Sequence, residues 1–307
     1  MNRTTNTTQA WIITGPTSGI GYRTALELAN HGTVVLVGRD PDKLSKVKAE
    51  IEAQHGGHAL SVVCDFADIR SVHRAAAEIV NLKLPIAGLA NNAGIMPMQS
   101  GRSAQGWDLA FATNHLGPFA FTEALIPHLL DGANIVFTCS AVEDPERKFS
   151  VSAGYRGGRY ISAEASARGE WKPGGSTMPG YDAYATSKQC NLATVFAFAR
   201  EIPRLRFNAV EPGFSPGTNL GREANAFFMF IGKYIISPLA PFIKYMSTPK
   251  LAARVITKVL TDTSDVTGGY YDEKGKPMAA STQVQDIEFS DRVVAETRKL
   301  LATLPKD

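Results

Sequence analysis

Apolar residues fall along the chain in two alternating patterns. The first is a set of short unbroken blocks: Trp11-Ile12-Ile13, Thr33 to Val37, Leu60 to Cys64, Pro85 to Ala90, Asn134 to Cys139 and Arg206 to Val210. A run without polar alternation marks a strand buried on both faces. A shorter block, Tyr270-Tyr271, follows Gly268-Gly269. The second pattern lies between the blocks, where apolar residues recur every three or four positions, as on one face of a helix. It predicts helices from Tyr22 to Asn30, Pro41 to Gln54, Gly106 to Leu130, through Tyr184 and onward past Ala199, from Lys250 to Leu260, and from Asp291 to Leu304. Another helix is expected after Asp65 and Asp68, either of which suits its cap. Strands alternating with helices predict an α/β fold, a doubly wound parallel sheet with helices on both faces. Right-handed crossovers bring the carboxyl ends of the strands to one edge, where ligands bind in such sheets.

Two stretches break the alternation. Residues 141–180 are rich in Gly, Ser, Arg and Glu and read as an excursion over the surface. Residues 214–249 begin polar, with Thr218 and Asn219, then carry Phe227, Phe228, Phe230, Tyr234, Phe242 and Tyr245. Both are expected to be insertions that cover the substrate. Residues 1–9 are expected to be a flexible N-terminus and 10–307 a single domain. Within the long predicted helix, Pro118 removes a backbone donor and frees a carbonyl about four residues back, which puts Asn114 at a distortion.

Composition excludes several classes. The net charge is +3 over 307 residues with no long basic run, so no nucleic-acid partner is implied. Cys64, Cys139 and Cys190 are scattered, without disulfide or zinc spacing, and a reducing cytoplasmic setting is expected. His55 and His58 read as loop residues, and no metal is expected. The first ten residues lack an apolar core, so no secretory signal is expected. The window from Ala226 to Met246 is interrupted by Lys233, Pro238, Pro241 and Lys244, a poor membrane span. Lys233 and Lys244 permit peripheral contact with an anionic membrane, though nothing requires it.

The chemistry-bearing residues sit at strand ends. After the first block comes Thr14-Gly15-Pro16-Thr17-Ser18-Gly19-Ile20-Gly21, then a helix. Strand, glycine loop, helix is the Rossmann-type dinucleotide site. Gly15 allows the turn, Gly19 lets a pyrophosphate approach the backbone, and Gly21 packs helix on strand. The second block ends at Gly38-Arg39. No acid stands there for a ribose hydroxyl, and a guanidinium suits a 2′-phosphate, which predicts NADP(H) over NAD(H). The alternative is an Arg39–Asp40 surface pair. Asp65-Phe66 ends the third block, Asn91-Asn92-Ala93-Gly94 the fourth, Ser140 the fifth and Glu211-Pro212-Gly213 the sixth. Asp65 suits the adenine. Asn91, Ala93 and Gly94 suit a backbone passing close under a ligand, and the asparagines could equally bond neighbouring strands. Tyr184 and Lys188 lie one helical turn apart. An ammonium beside a phenol lowers its pKa from about 10, so that it can exchange a proton with a carbonyl or alcohol oxygen. Tyr270 and Lys274 share this spacing, but among Gly268, Gly269 and Gly275 a turn is expected there.

Jointly the glycine motif, Asn91 to Gly94, Asn114, Ser140, Tyr184 with Lys188, and Pro212-Gly213 resemble the short-chain dehydrogenase/reductase family over about Ala10 to Gly269. The resemblance implies a catalytic tetrad of Asn114, Ser140, Tyr184 and Lys188. In it Tyr184 is the general acid/base and Ser140 bonds the substrate oxygen. Lys188 tunes Tyr184 and holds the nicotinamide ribose, and Asn114 keeps a water that links Lys188 to solvent. It further implies a cofactor site of Gly15, Thr17, Ser18, Gly19, Ile20, Gly21, Arg39, Asp65, Phe66, Asn91, Ala93, Gly94, Tyr184, Lys188, Pro212, Gly213 and Thr218. Cys139 stands where the family often has a first serine before Ser140. The runs Leu89 to Met96 and Thr113 to Gly117, with the long gap from Ser140 to Tyr184, resemble the retinol dehydrogenase-like branch. Cys190-Asn191 and Thr218 to Glu223 are locally similar to protochlorophyllide reductases, which reduce a ring C=C bond. The expectation is an NADP-dependent oxidoreductase acting on a lipophilic ketone, aldehyde or alcohol, given the aromatics of 214–249. The alternative is a non-catalytic NADP(H)-binding sensor on the same fold. The family often pairs through the helices carrying Asn114 and Tyr184, which allows a homodimer.

Overall fold

The structure is a computed structural model, and it describes residues 9–55, 57–178, 180–214 and 245–304. The strands are β1 (Ala10–Thr14), β2 (Thr33–Gly38), β3 (Ala59–Val63), β4 (Ile86–Asn91), β5 (Leu129–Thr138), β6 (Arg206–Val210) and β7 (Tyr270–Tyr271). They form one sheet in the order β3-β2-β1-β4-β5-β6-β7, and every pairing is parallel. The order reverses beside β1, between β1 and β4, where such sheets open a crevice for ligands.

Strand parity builds two cores. On β1, β2 and β5, Ile12, Val35, Val37, Ile135 and Phe137 face one side, under the helices Ile69–Asn81, Gly117–Leu125, Tyr181–Glu201 and Ile287–Leu301. Ile13, Val34, Leu36 and Val136 face the other, under Gly19–Leu28, Pro41–His55 and Pro249–Leu260. Burial on both faces is why these strands read as continuous apolar runs. Asp68 caps the helix Ile69–Asn81, accepting from Arg70 N at 3.1 Å. No helix among the described residues is long and apolar enough to cross a membrane.

Two expectations change. The predicted helix from Gly106 to Leu130 is shorter and broken. Asp108 accepts from Phe111 N at 2.8 Å and starts the helix at Leu109. A π-helical turn, Ala112–Leu116, then precedes Gly117–Leu125, and a 3₁₀ turn at Ile126–His128 leads into β5. Leu129 joins the sheet opposite Ile86, so β5 begins five residues before the apolar block suggested. Residues 141–180 are also not wholly a surface excursion. Tyr160, Ala163, Ala165, Ser166 and Ala167 are buried. Tyr160 packs edge-on to Phe289 and donates to Glu296 Oε2 at 2.6 Å. Residues 215–244, with Thr218 and most of the aromatic connection, lie outside the described residues.

Candidate active site

The glycine loop at the end of β1 is held by its neighbours. Gly15 and Gly19 take φ of +68° and +56°, the left-handed region that glycine adopts at no steric cost. A Cβ at Gly21 would stand 2.2 Å from Gly15 O and 2.4 Å from Asn92 Nδ2, so only glycine lets the helix seat on the loop. Thr14 Oγ1 accepts from Asn92 N and Ala93 N, both at 2.9 Å, and Asn92 Nδ2 donates to Thr14 O at 3.0 Å. These bonds lock the ends of β1 and β4 together. Ser18 makes no side-chain cap, so the helix N-terminus presents its free N–H groups, a ready anion site.

A cleft of about 280 Å³ opens there, lined by Gly15, Thr17, Ser18, Gly19, Ile20, Gly21, Arg39, Asp65, Phe66, Ala93 and Gly94 as expected. Arg39 stands exposed at its rim and makes no ion pair among the described residues. Asp40 instead bonds Lys43, Nζ to carboxylate at 2.7 Å, which rules out the Arg39–Asp40 pair. Asp65 is exposed and accepts from Ala67 N at 2.9 Å, so capping of Ile69–Asn81 falls to Asp68. Asn91 does not face the cleft. Its amide turns into the core and donates to Thr122 Oγ1 at 2.8 Å, because successive strand residues point to opposite faces. Asn92 takes the cleft position instead.

The catalytic candidates do not line this cleft, but two of them, Asn114 and Lys188, stand directly behind Gly94 at its edge. Asn114 accepts from Ile95 N and donates to Ile95 O, both at 2.8 Å, and its Nδ2 reaches Ser187 Oγ at 3.2 Å. Its side chain therefore clamps the loop that floors the cleft. Tyr184 is buried, and the Ser140 side chain stands near enough to its phenol to lower its pKa. Lys188 is 4% exposed and donates from Nζ to Thr138 O at 2.8 Å. Gly94 adjoins both Asn114 and Lys188, so the tetrad and the cleft share one wall.

The Lys188 ammonium does not sit directly on the Tyr184 hydroxyl. Lys188 Nζ turns to a carbonyl and stands 5.5 Å from the tyrosine ring centre. Burial, helped by the fields of Tyr155, Glu211 and Cys139, pushes the phenol well above its ordinary value, and the nearby Ser140 side chain works the other way. Burial likewise lowers Lys188. Burial also lifts the Cys139 thiol to about 12, leaving it inert.

Sequence reasoning quoted Glu211 without giving it a role. From the end of β6 its carboxylate accepts from Ala141 N, beside Ser140, and from Gly213 N at 3.1 Å. It thus ties the Ser140 turn to Pro212-Gly213, the remaining candidates, which do not line the cleft itself. Glu143, 1% exposed, accepts from Ser281 N at 2.9 Å and Ser281 Oγ at 2.6 Å. Burial raises both carboxyls to about 7. An acid next to a Pro-Gly turn was the visible signal for Glu211. Nothing local pairs Glu143 with a residue so far along the chain.

Tyr270 lies on β7, buried, with its hydroxyl unpaired among the described residues, and Lys274 follows in a turn. The second Tyr–Lys pair is thus not on a helix.

Comparison with known proteins agrees with this geometry. The short chain dehydrogenase family model matches residues 9–155. Human retinol dehydrogenase 13 is 28% identical over 94% of this chain and 83% of its own length. A Streptomyces sp. (strain C5) protein named as a daunorubicin C-13 ketoreductase is 30% identical over 88% of this chain and 85% of its own. A crystal structure of a Mycobacterium paratuberculosis protein superposes with a TM-score of 0.69 at 26% identity, covering 96% of this chain and 93% of that one. The chain belongs to the short-chain dehydrogenase/reductase family of oxidoreductases, in its retinol dehydrogenase-like branch.

Proposed function

We propose that the protein is an NADP(H)-dependent oxidoreductase that reduces lipophilic ketones or aldehydes, with Tyr184 as proton donor. The observation that carries this reading is the buried Tyr184, with Ser140 beside its phenol and Lys188 one turn on, behind the Gly94 side of the glycine-loop cleft. Residues of this chain fit the cofactor. The glycine loop and helix N-terminus suit a pyrophosphate, and Arg39, without an acid at Gly38, suits a 2′-phosphate. Asp65 and Phe66 would border the adenosine, and Lys188 with Pro212-Gly213, behind the lining, would lie toward the nicotinamide. When bound, the nicotinamide supplies or accepts the hydride.

The chain's own part is proton handling and placement. Ser140 and Tyr184 present two hydroxyls to one oxygen, so a carbonyl seated there accepts from both. Burial keeps the phenol protonated, and it gives that proton up only as negative charge develops on the substrate oxygen. The donated proton comes from the Tyr184 hydroxyl and ends on the product oxygen. Lys188, held by Thr138 O, keeps a positive charge near the phenolate that forms.

Beside Tyr184 stands a pair of aromatic rings. Tyr155 and Tyr181 stack with ring centres 4.1 Å apart, and Tyr155 Oη lies 3.1 Å from Met96 Sδ. Such a pair supports a bulky hydrophobic substrate over a sugar or a charged acid. Two relatives are named for retinol and for the C-13 ketone of daunorubicin, which supports the same class. The test is NADPH oxidation along a homologous series of carbonyls. We expect kcat/KM to rise by roughly 0.8 kcal/mol per buried methylene until the pocket is full. A flat series, or a preference for small polar carbonyls, would overturn the substrate class. Absence of turnover with NADPH intact and bound would favour a sensor.

A further inference from the structure

Pro118 has no N–H, so the Asn114 carbonyl four residues earlier has no helical donor there. Asn191 Nδ2 donates to it at 2.8 Å. The other end of the same amide, Oδ1, lies 3.0 Å from His115 Nδ1, and His115 Nε2 lies 3.0 Å from Thr297 Oγ1. All four residues are buried. The polarity of this series follows from its first member. A carbonyl only accepts, so Asn191 must turn its NH₂ to Asn114 and its oxygen to His115. That oxygen also only accepts, so His115 carries its proton on Nδ1. Burial keeps the ring neutral, with its pKa lowered to about 4, and Nε2 is therefore an acceptor for the Thr297 hydroxyl. Thr297 Oγ1 can also donate to Val293 O at 2.7 Å, but with the ring proton on Nδ1 that choice would set a bare Nε2 against a bare oxygen at 3.0 Å, so we assign the hydroxyl proton to Nε2. Phe111 and Phe119, with ring centres 5.1 and 5.8 Å from that of His115, hold the ring in place.

We propose that Thr297, His115 and Asn191 are positioning residues: a polarised chain of hydrogen bonds by which the helix Ile287–Leu301 orients Asn114 and, through it, the Ile95 edge of the cleft. Asn114 carries that orientation to the cleft because its side chain holds both the N–H and the carbonyl of Ile95. The catalytic consequence rests on the oxidoreductase reading, whereas the wiring does not.

The first measurement is nitrogen-15 NMR of the His115 ring. A proton on Nδ1 and a bare Nε2 are expected, and the opposite tautomer would overturn the chain. The second compares Asn191→Leu, Thr297→Val and Thr297→Ser by amide exchange at Ile95 and by kcat. The leucine and valine variants should exchange Ile95 faster and lose ~10-fold or more in kcat, as misplacement remote from the chemistry does. The serine variant, which keeps the hydroxyl, should match the parent. A variant with a lowered Tm but unchanged kcat and Ile95 exchange at a temperature where it stays folded would overturn the positioning role. Should Asn191→Leu fail to fold, the near-isosteric Thr297→Val carries the comparison. If the parent protein reduces no carbonyl, the function proposed above fails. The wiring then stands or falls on the tautomer and Ile95 exchange.

Discussion

Replacing Tyr184 by Phe removes only its hydroxyl oxygen and leaves the packing of the helix intact. Turnover should fall ~10²-fold or more, while NADPH binding, read by fluorescence titration, stays near the parent value. Tyr270→Phe is the matched control. Its hydroxyl is buried without a partner among the described residues, so that variant should keep its activity and show an equal or higher Tm. Equal losses of turnover would assign the chemistry to the wrong tyrosine. Arg39→Ala should weaken NADPH by at least ~1 kcal/mol, the low end for a charged hydrogen bond, and leave NADH unchanged. Equal affinity of the parent for both cofactors would refute the NADP preference.

The buried titratable groups predict a pH trend with a definite sign. Glu143 and Glu211 titrate near 7 in the fold against 4.5 ordinarily, so the folded state holds the extra protons between those values. Their contribution is full below 4.5 and is lost as pH rises through about 7. His115, lowered from 6.5 to about 4, acts oppositely and destabilises as pH falls through that range. Two acids outweigh one imidazole, so Tm should decline from about pH 5 to about pH 7. Glu143→Gln and Glu211→Gln should each flatten that slope. A Tm that climbs over the same range would show that these carboxyls stay ionised.

At the scale of elements, the loop and helix of the dinucleotide cleft depend on Gly21. Gly21→Ala would drive a methyl group into Gly15 O, and we expect a loss of about 1–3 kcal/mol, the usual cost of overpacking, together with weaker NADPH binding. Denaturant unfolding and the same titration check both. What was legible in the sequence follows the same physics. Strands buried on both faces announce themselves as apolar runs, and the glycine loop declares itself by its position after one. Tyr184 and Lys188 were legible because a helix puts residues four apart on one face. The π turn was legible only as a distortion near Asn114, through Pro118. The start of the helix at Leu109 was hidden, because Asp108 caps it inside a stretch that still looks periodic. The inward turn of Asn91 was hidden too, since two adjacent asparagines give no clue to which face each takes. The burial around Tyr184 and Lys188 was hidden, because sequence spacing shows the ammonium next to the phenol but not what encloses both.

At the scale of the whole molecule, the helix Ile287–Leu301 packs along Tyr181–Glu201. Arg298 spans this contact, donating to Glu123 at 2.6 Å and to Glu201 at 2.7 Å. A homodimer that pairs through the Tyr184 helix would have to displace that cover. We therefore expect a single-chain mass in sedimentation. A two-chain species cross-linked through Tyr181–Glu201 would show that the cover opens. These long-range joins were beyond sequence reasoning, because Glu143 with Ser281 and His115 with Thr297 are complementary only once the sheet has brought them together.

The same cover has a consequence for biosynthesis. A ribosome delivers β1 to β6, the glycine loop, Ser140 and Tyr184 well before residues 281–301, and early segments begin to fold as they emerge. Until Ser281 arrives, the Glu143 carboxyl lacks its donors. Until the helix Ile287–Leu301 arrives, Tyr160, His115 and the Tyr184 helix face water. A nascent chain can therefore shape its dinucleotide cleft before its catalytic end is complete. Cofactor present during synthesis would act as a chaperone for the first half of the sheet, and competence for turnover would switch on late, with the docking of one helix.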